Sequence, residues 1–230
     1  MTFKSEEELK EFLENLGTEY RFSCFKEKNS EGCHLLADYL ESVKADFEAA
    51  GKVYKSNCDE HNYPKSCFRY GNYCFLGKGM ESGDCTEAFN HYKKSCDLGY
   101  ANGCLHTGVM LTRKSEYPNS KNPVALDPAT GIKYLEKACS GGNATACYFA
   151  SGMYIAGSDA VPRDRTKASE LSLKACDGGN IFSCMNLSRM YRIGDGVEKD
   201  EKMAEVYKNK AREIRDDYKK KPSIGLQQHT

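Results

Sequence analysis

The sequence predicts an all-α fold: a solenoid of helix pairs in which cysteines staple one pair to the next. Three observations predict it. Ten of the 12 cysteines form five pairs of nearly constant spacing, Cys24/Cys33 and Cys58/Cys67 with eight residues between them, and Cys96/Cys104, Cys139/Cys147 and Cys176/Cys184 with seven. Measured from second cysteine to second cysteine, the pairs recur after 34, 37, 43 and 37 residues, the period of helix-pair arrays. The residues flanking each pair repeat with helical periodicity and end in glycine.

Each repeat opens on its second cysteine. The segments CFRYGNYCFLGKG (67–79), CYFASGMYIAGSD (147–159) and CMNLSRMYRIGDG (184–196) place apolar and aromatic residues at helical spacing, and Gly77, Gly157 and Gly194 end this first helix. A polar start follows, then the second helix: EAFNHYKKSCDLG (87–99), TGIKYLEKACSGG (130–142) or KASELSLKACDGG (167–179). Ala88, Gly131 and Ala168 are small enough to let helices approach, and Tyr92 and Tyr134 are expected in the core stripe. Gly99, Gly141 and Gly178 are expected to end these helices. The first cysteine of a pair thus lies near the end of one repeat and the second near the start of the next. A disulfide there would close a loop of helix end, turn and helix start, a span able to bring the Cα atoms within about 6 Å.

The organisation expected is an N-terminal helical cap over 1–30, five helix pairs over 31–219 and a disordered tail over 220–230. The third repeat is lengthened by RKSEYPNSKNPVALDP (113–128), which carries three of the six prolines and reads as an extended loop. In the last unit Ala211 occupies the place of a further cysteine, consistent with a terminal helix that links to nothing beyond it.

Composition narrows the function. With 33 basic and 33 acidic residues the net charge is zero, so neither nucleic acid nor an anionic membrane has global electrostatic support as a partner. The ends differ, with eight acids to five bases over 1–31 and eight bases to five acids over 201–230, a pattern of solvated caps. No apolar run reaches the length of a membrane span. The acidic start MTFKSEEELKEFLENL has neither the basic and apolar regions of a secretory signal nor the arginines of a presequence. A disulfide framework without a cleavable leader is unusual, because reducing compartments disfavour disulfides.

Other uses of the cysteines fit less well. Structural zinc favours C-x2–4-C spacing and four converging ligands, and the C-x-x-C signature of thiol redox enzymes is absent. Buried free thiols are the remaining alternative. Cys74 and Cys85 stand outside the repeated positions, on the first helix of their unit and near the start of the second; free thiols, an extra disulfide within the repeat, or a reactive role are all open to them. The histidines are His34, His61, His91, His106 and His229, with no HExxH or other paired ligand spacing; His106, two residues after Cys104, is the one weighed for haem or metal. There is no GxSxG, Walker A or dinucleotide loop, and no catalytic residue or metal site is assigned.

The helix pairs, the G-x-G elements (GKG at 77–79, GDG at 194–196) and the KAC-x-GG segments resemble Sel1-like repeats, relatives of tetratricopeptide arrays, over about residues 31–215. Within that family, residues 6–41 and 188–211, with the run of two C-x8-C and three C-x7-C pairs, resemble the Sel1-repeat assembly factors of mitochondrial cytochrome c oxidase. The resemblance implies a protein of the mitochondrial intermembrane space that serves assembly of complex IV, and of complex I beside it. Its implied partners are respiratory-chain clients or other assembly factors, held on a concave face, and the oxidoreductase that traps incoming chains by forming their disulfides. An oxidised framework without a cleavable leader is then expected. The resemblance also brings haem binding and thiol–disulfide exchange with copper-delivery proteins as alternatives. Secreted cysteine-rich Sel1-like proteins that bind or hydrolyse β-lactams form a further one, against which stands the acidic N-terminus without the features of a secretory signal.

Overall fold

Helices start here where Asn or Asp can accept a bond from the exposed backbone amides of a first turn. Asn29, Asp46, Asp84, Asn143, Asp164 and Asn180 do so at six N-caps. Where Tyr63 stands at the cap instead, Pro64 occupies the first helical position, with its φ already suited to the helix. Glycine ends several helices: Gly77 and Gly194 take left-handed backbone at the C-caps (φ 67° and 73°), and a Cβ on Gly77 would lie 2.7 Å from the Gly83 nitrogen.

The computed structural model describes residues 5–113, 120–121 and 123–220. Among them are eleven helices. These are α1 (Glu6–Phe25), α2 (Ser30–Ser42), α3 (Phe47–His61), α4 (Pro64–Leu76), α5 (Cys85–Asp97), α6 (Ala101–Thr112), α7 (Pro128–Ser140), α8 (Ala144–Ala156), α9 (Arg165–Asp177), α10 (Ile181–Ile193) and α11 (Glu201–Lys220). The all-α solenoid class expected from the sequence is the observed one, with one addition: β1 (Gly83–Asp84) and β2 (Ser120–Lys121) form a two-residue parallel pair, Gly83 opposite Ser120. Part of the lengthened third repeat therefore carries a ladder; much of the rest of it, 114–119 and 122, lies outside the described residues, as does nearly all of the expected tail.

The chain divides into two units, Met1–Tyr134 and Leu135–Thr230. The core of the first joins Leu36, Ala37, Ala50, Tyr54, Tyr73, Ala88 and Tyr92 to the sulfurs of Cys24, Cys33, Cys74 and Cys85. Tyr54 and Tyr92 are among its largest fully buried side chains, and Tyr54 meets Tyr73 edge to face at 5.5 Å between centroids. In the second unit α10 and α11 close on Cys176, Cys184, Leu187, Tyr207 and Ala211. Ala211, at the place of a missing cysteine, is buried there and packs as a small apolar residue. One expectation is corrected: Tyr134 is only half-buried, and Ile132 and Leu135 fill the α7 stripe instead. Leu135 reaches the interior one position further round the helix, a displacement of about 100°.

Candidate functional site

Five repeat junctions have one construction. The first cysteine lies in the last turn or so of a helix, a short turn follows, and the second cysteine donates its amide to the N-cap carbonyl of the next helix: Cys33 to Asn29, Cys67 to Tyr63, Cys104 to Tyr100, Cys147 to Asn143 and Cys184 to Asn180. The cysteines stand as the disulfides Cys24–Cys33, Cys58–Cys67, Cys96–Cys104, Cys139–Cys147 and Cys176–Cys184, with Cα separations of 4.3, 4.7, 4.5, 4.7 and 4.8 Å. All ten are buried.

The backbone explains why two spacings coexist. In every junction the residue just before the N-cap has positive φ. It is Gly99, Gly142 or Gly179 in the seven-residue junctions and Lys28 or Asn62 in the eight-residue ones. The extra residue is thus absorbed before the left-handed position, and the geometry from that position to the second cysteine is unchanged. Glycines 141 and 178, expected to end α7 and α9, directly follow those helices, but the left-handed residue is the next one.

The Cys58–Cys67 junction has a neighbour of another kind. His91 of α5 points Nδ1 at Cys58 Sγ, 3.6 Å away, and its Nε2 meets Glu87 Oε1 at 3.2 Å. The ring is 7% exposed and stands edge-on to Tyr70. Burial lowers the His91 pKa, outweighing the pull of the Glu87 carboxylate. Asp59 is ion-paired with Lys55 at 3.3 Å and Lys94 at 3.7 Å, and Lys94 also donates to the Cys58 carbonyl at 2.8 Å.

Cys74 and Cys85 are both buried and outside any disulfide. Burial pushes the Cys74 thiol up to about 11, partly offset by its hydrogen bond with Tyr70. At neutral pH it is a protonated core thiol, whereas nucleophilic cysteines have lowered pKa values. His106 packs its ring between Phe68 and Tyr92, with centroids at 5.1 and 4.9 Å, and burial lowers its pKa. An imidazole set against two carbocyclic rings acts here as a packing element. His34 bonds Ser66 Oγ through Nδ1 at 3.0 Å, next to the buried Asn57. His229 lies outside the described residues.

A polar network that the repeat pattern does not reveal joins α2, α3 and α4. The Tyr54 hydroxyl donates to Asp38; Arg69 Nη2 reaches Glu41 at 2.5 Å and Lys78 Nζ reaches it at 2.6 Å. Burial acts to raise the Glu41 pKa, but the hydrogen bond from Lys78 and the charge of Arg69 hold it below its ordinary value. Lys78 also covers the ring of Phe47 at 4.3 Å. Beside it opens a recess of about 300 Å³ whose lining includes Phe47, Glu48, Lys52, Lys55, Tyr70 and Lys78. Its ammonium groups are each paired, Lys52 with Glu48 at 2.6 Å, Lys55 with Asp59 at 3.3 Å and Lys78 with Glu41 at 2.6 Å.

Among known proteins, the Sel1 repeat family model matches residues 64–100, 121–143, 144–180 and 181–212. The chain is 42% identical to the cytochrome c oxidase assembly factor 7 homolog of Drosophila melanogaster over 98% of this chain and 96% of the relative. It is 40% identical to cytochrome c oxidase assembly factor 7A of Xenopus laevis over 92% and 91%, and 38% identical to the Homo sapiens factor over 95% and 94%. Among solved structures, a Sel1 repeat protein from Oxalobacter formigenes superposes with a TM-score of 0.70 at 19% identity, over 88% of this chain and 82% of that one, a likeness of fold. Relatives of this identity along nearly the whole chain carry more than a shared repeat: the chain belongs to the cytochrome c oxidase assembly factor 7 family of Sel1 repeat proteins.

Proposed function

We propose that the protein serves assembly of cytochrome c oxidase, complex IV of the mitochondrial respiratory chain, as a binding scaffold of disulfide-stapled helix pairs. The observation that carries this is the 42% identity to an assembly factor 7 homolog over 98% of the chain. The local chemistry agrees with a scaffold. The cysteines outside the staples are buried, Cys74 is held protonated, and the open recess of the first unit presents the rings of Phe47 and Tyr70. Its partners are respiratory-chain proteins or other assembly factors. Among the described residues no helix is long and apolar enough to cross a membrane.

The compartment we propose is the intermembrane space. Five buried disulfides belong in an oxidising setting, and an oxidoreductase of that space would form them as the chain enters. The test of function is deletion with rescue. Cells lacking the protein should lose assembled cytochrome c oxidase on native gels and regain it on re-expression; unchanged oxidase in the deletion overturns the reading. The compartment is tested separately by protease access after rupture of the outer mitochondrial membrane alone. Trapping the chain in a mixed disulfide during import tests the oxidoreductase.

A further inference from the structure

Cysteine gaps of seven or eight residues do not by themselves gather four zinc ligands. The fold adds a ligand from the following repeat. His91, 33 residues beyond Cys58, brings Nδ1 to 3.6 Å from its sulfur. One donor atom each from Cys58, Asp59 and His91 lies within 4.8 Å of the others. Cys67 Sγ is bonded to Cys58 Sγ and stands outside that group of three; with the bond absent it is a second sulfur beside it.

The histidine is the independent sign of a ligand. Its Nε2 faces the Glu87 carboxylate and donates a hydrogen bond to it. Nδ1 is then a lone pair, and a disulfide sulfur has no hydrogen to give it. A polar nitrogen on a side chain 7% exposed is left aimed at the sulfur without a donor. A carboxylate bonded to one imidazole nitrogen, with the other nitrogen directed at the site, is how a histidine metal ligand is usually held. With Zn–S about 2.3 Å and Zn–N about 2.0–2.1 Å, sulfur and nitrogen on one tetrahedral zinc stand about 3.6 Å apart, the separation already present. The two sulfurs would open to about 3.8 Å on the same metal, a side-chain rotation once their bond is absent. In the other four junctions the position aligned with His91 holds Val53, Tyr134, Leu171 or Val206, with no nitrogen or sulfur donor.

We infer that the dithiol form of this junction, the state before its disulfide closes, is a zinc-class cation site formed by Cys58, Cys67, His91 and Asp59. The two thiols lose two protons to solvent as zinc binds. The disulfide forms later, when a small or protein disulfide takes two electrons from the thiolates: the zinc bis-thiolate, one external disulfide and two protons give Cys58–Cys67, two external thiols and free Zn²⁺. Two thiolates and one carboxylate leave the occupied site one negative charge, which Lys55 and Lys94 are placed to offset. Metal would thus delay one staple of the five.

The test refolds the full reduced chain with oxidised glutathione, with and without Zn²⁺, and maps remaining thiols by alkylation and mass spectrometry. At a zinc concentration ten times the dissociation constant, about a tenth of chains are metal-free, so Cys58–Cys67 should close about tenfold more slowly while the other four pairs keep their rates. Chelator should release it at once. In His91→Ala the pair should close at the zinc-free rate whether or not zinc is present. Asp59 is exposed, and Asp59→Asn, which leaves the core intact, should weaken the delay. Closure of the other pairs and recovered helical circular dichroism in the zinc-free arm verify that each variant folds. The inference is overturned if zinc delays all pairs alike, delays none, or delays this pair as much in His91→Ala and Asp59→Asn as in the unaltered chain.

Discussion

Breaking one staple tests how the array is held together. Cys96–Cys104 spans eight positions, so it closes a nine-residue loop. Chain entropy then assigns it about 2.6 kcal/mol at 25 °C. Both sulfurs are buried, at 0% and 2% exposure, so truncation to alanine adds a packing loss of about 0.5–1 kcal/mol per site. Cys96→Ala and Cys104→Ala alone should each cost about 3–3.5 kcal/mol, because either removes the whole crosslink. The double variant should cost only about 4 kcal/mol, since the crosslink can be lost once. The coupling in the cycle is the crosslink itself, about 2.6 kcal/mol, whatever the packing loss. Urea unfolding of the four oxidised proteins, followed by helical circular dichroism, measures it. Repeating the cycle at Cys58–Cys67, whose separation is nine, changes the entropic figure by only about 0.1 kcal/mol. A coupling below about 1 kcal/mol, or a difference of more than about 1 kcal/mol between the two junctions, would refute loop closure as the source of the stability.

Three further perturbations follow from named contacts. Lys28 is exposed and holds φ 56° where three of the other junctions use glycine; Lys28→Gly should raise stability by about 0.5–1 kcal/mol in the same unfolding assay, left-handed strain being partly offset by glycine's freedom when unfolded. Gly103→Ala should cost about 1–3 kcal/mol, because the new Cβ would lie 2.7 Å from the Cys96 backbone nitrogen, which cannot step aside. Burial depresses the His106 pKa in the folded state, so the unfolded chain takes up its proton first as pH falls. The stability tied to neutral His106 is therefore fully present above about pH 6.5 and declines below it until the folded pKa is passed. His106→Phe should make the unfolding midpoint less sensitive to pH between 6.5 and 5, and an unchanged slope would remove His106 as a cause.

The parts legible in the sequence were those that repeat. A cysteine pair, a glycine and a polar cap recurring every 34–43 residues mark helix ends independently at several places, so local errors are averaged out. Contacts made once have no such redundancy. The Glu41 pairs with Arg69 and Lys78 span 28 and 37 residues, and His91 sits near Cys58 only because α5 packs beside the junction of α3 and α4. Nothing local in NHYKKSC distinguishes a histidine aimed at a disulfide from one aimed at solvent. Tyr134 failed for a related reason: in KYLEK both Tyr and Leu can head an apolar stripe, and the neighbouring helix chooses between them. The two-residue ladder of β1 and β2 is shorter than any alternation pattern can announce.

The left-handed residue before each N-cap also explains how one junction tolerates two spacings. From that residue to the second cysteine the count is constant at five: Lys28 to Cys33, Asn62 to Cys67, Gly99 to Cys104, Gly142 to Cys147 and Gly179 to Cys184. The approach of the second cysteine is therefore fixed by the turn and the first helical turn after it. The preceding helix need only bring its own cysteine within reach, and one residue more or less at its end does not change the Cα separation beyond 4.3–4.8 Å. It follows that insertions at a junction should be asymmetric in effect. A residue added between Cys96 and Gly99 reproduces the eight-residue arrangement seen twice in this chain and should leave the Cys96–Cys104 staple able to form. A residue added between Gly99 and Cys104 moves the cysteine about 100° around its helix and should leave Cys96 and Cys104 unbonded, so that four thiols are counted with Cys74 and Cys85 in place of two. Thiol counting of the two insertion variants under denaturing conditions decides the matter, and equal counts would overturn this account of the spacing.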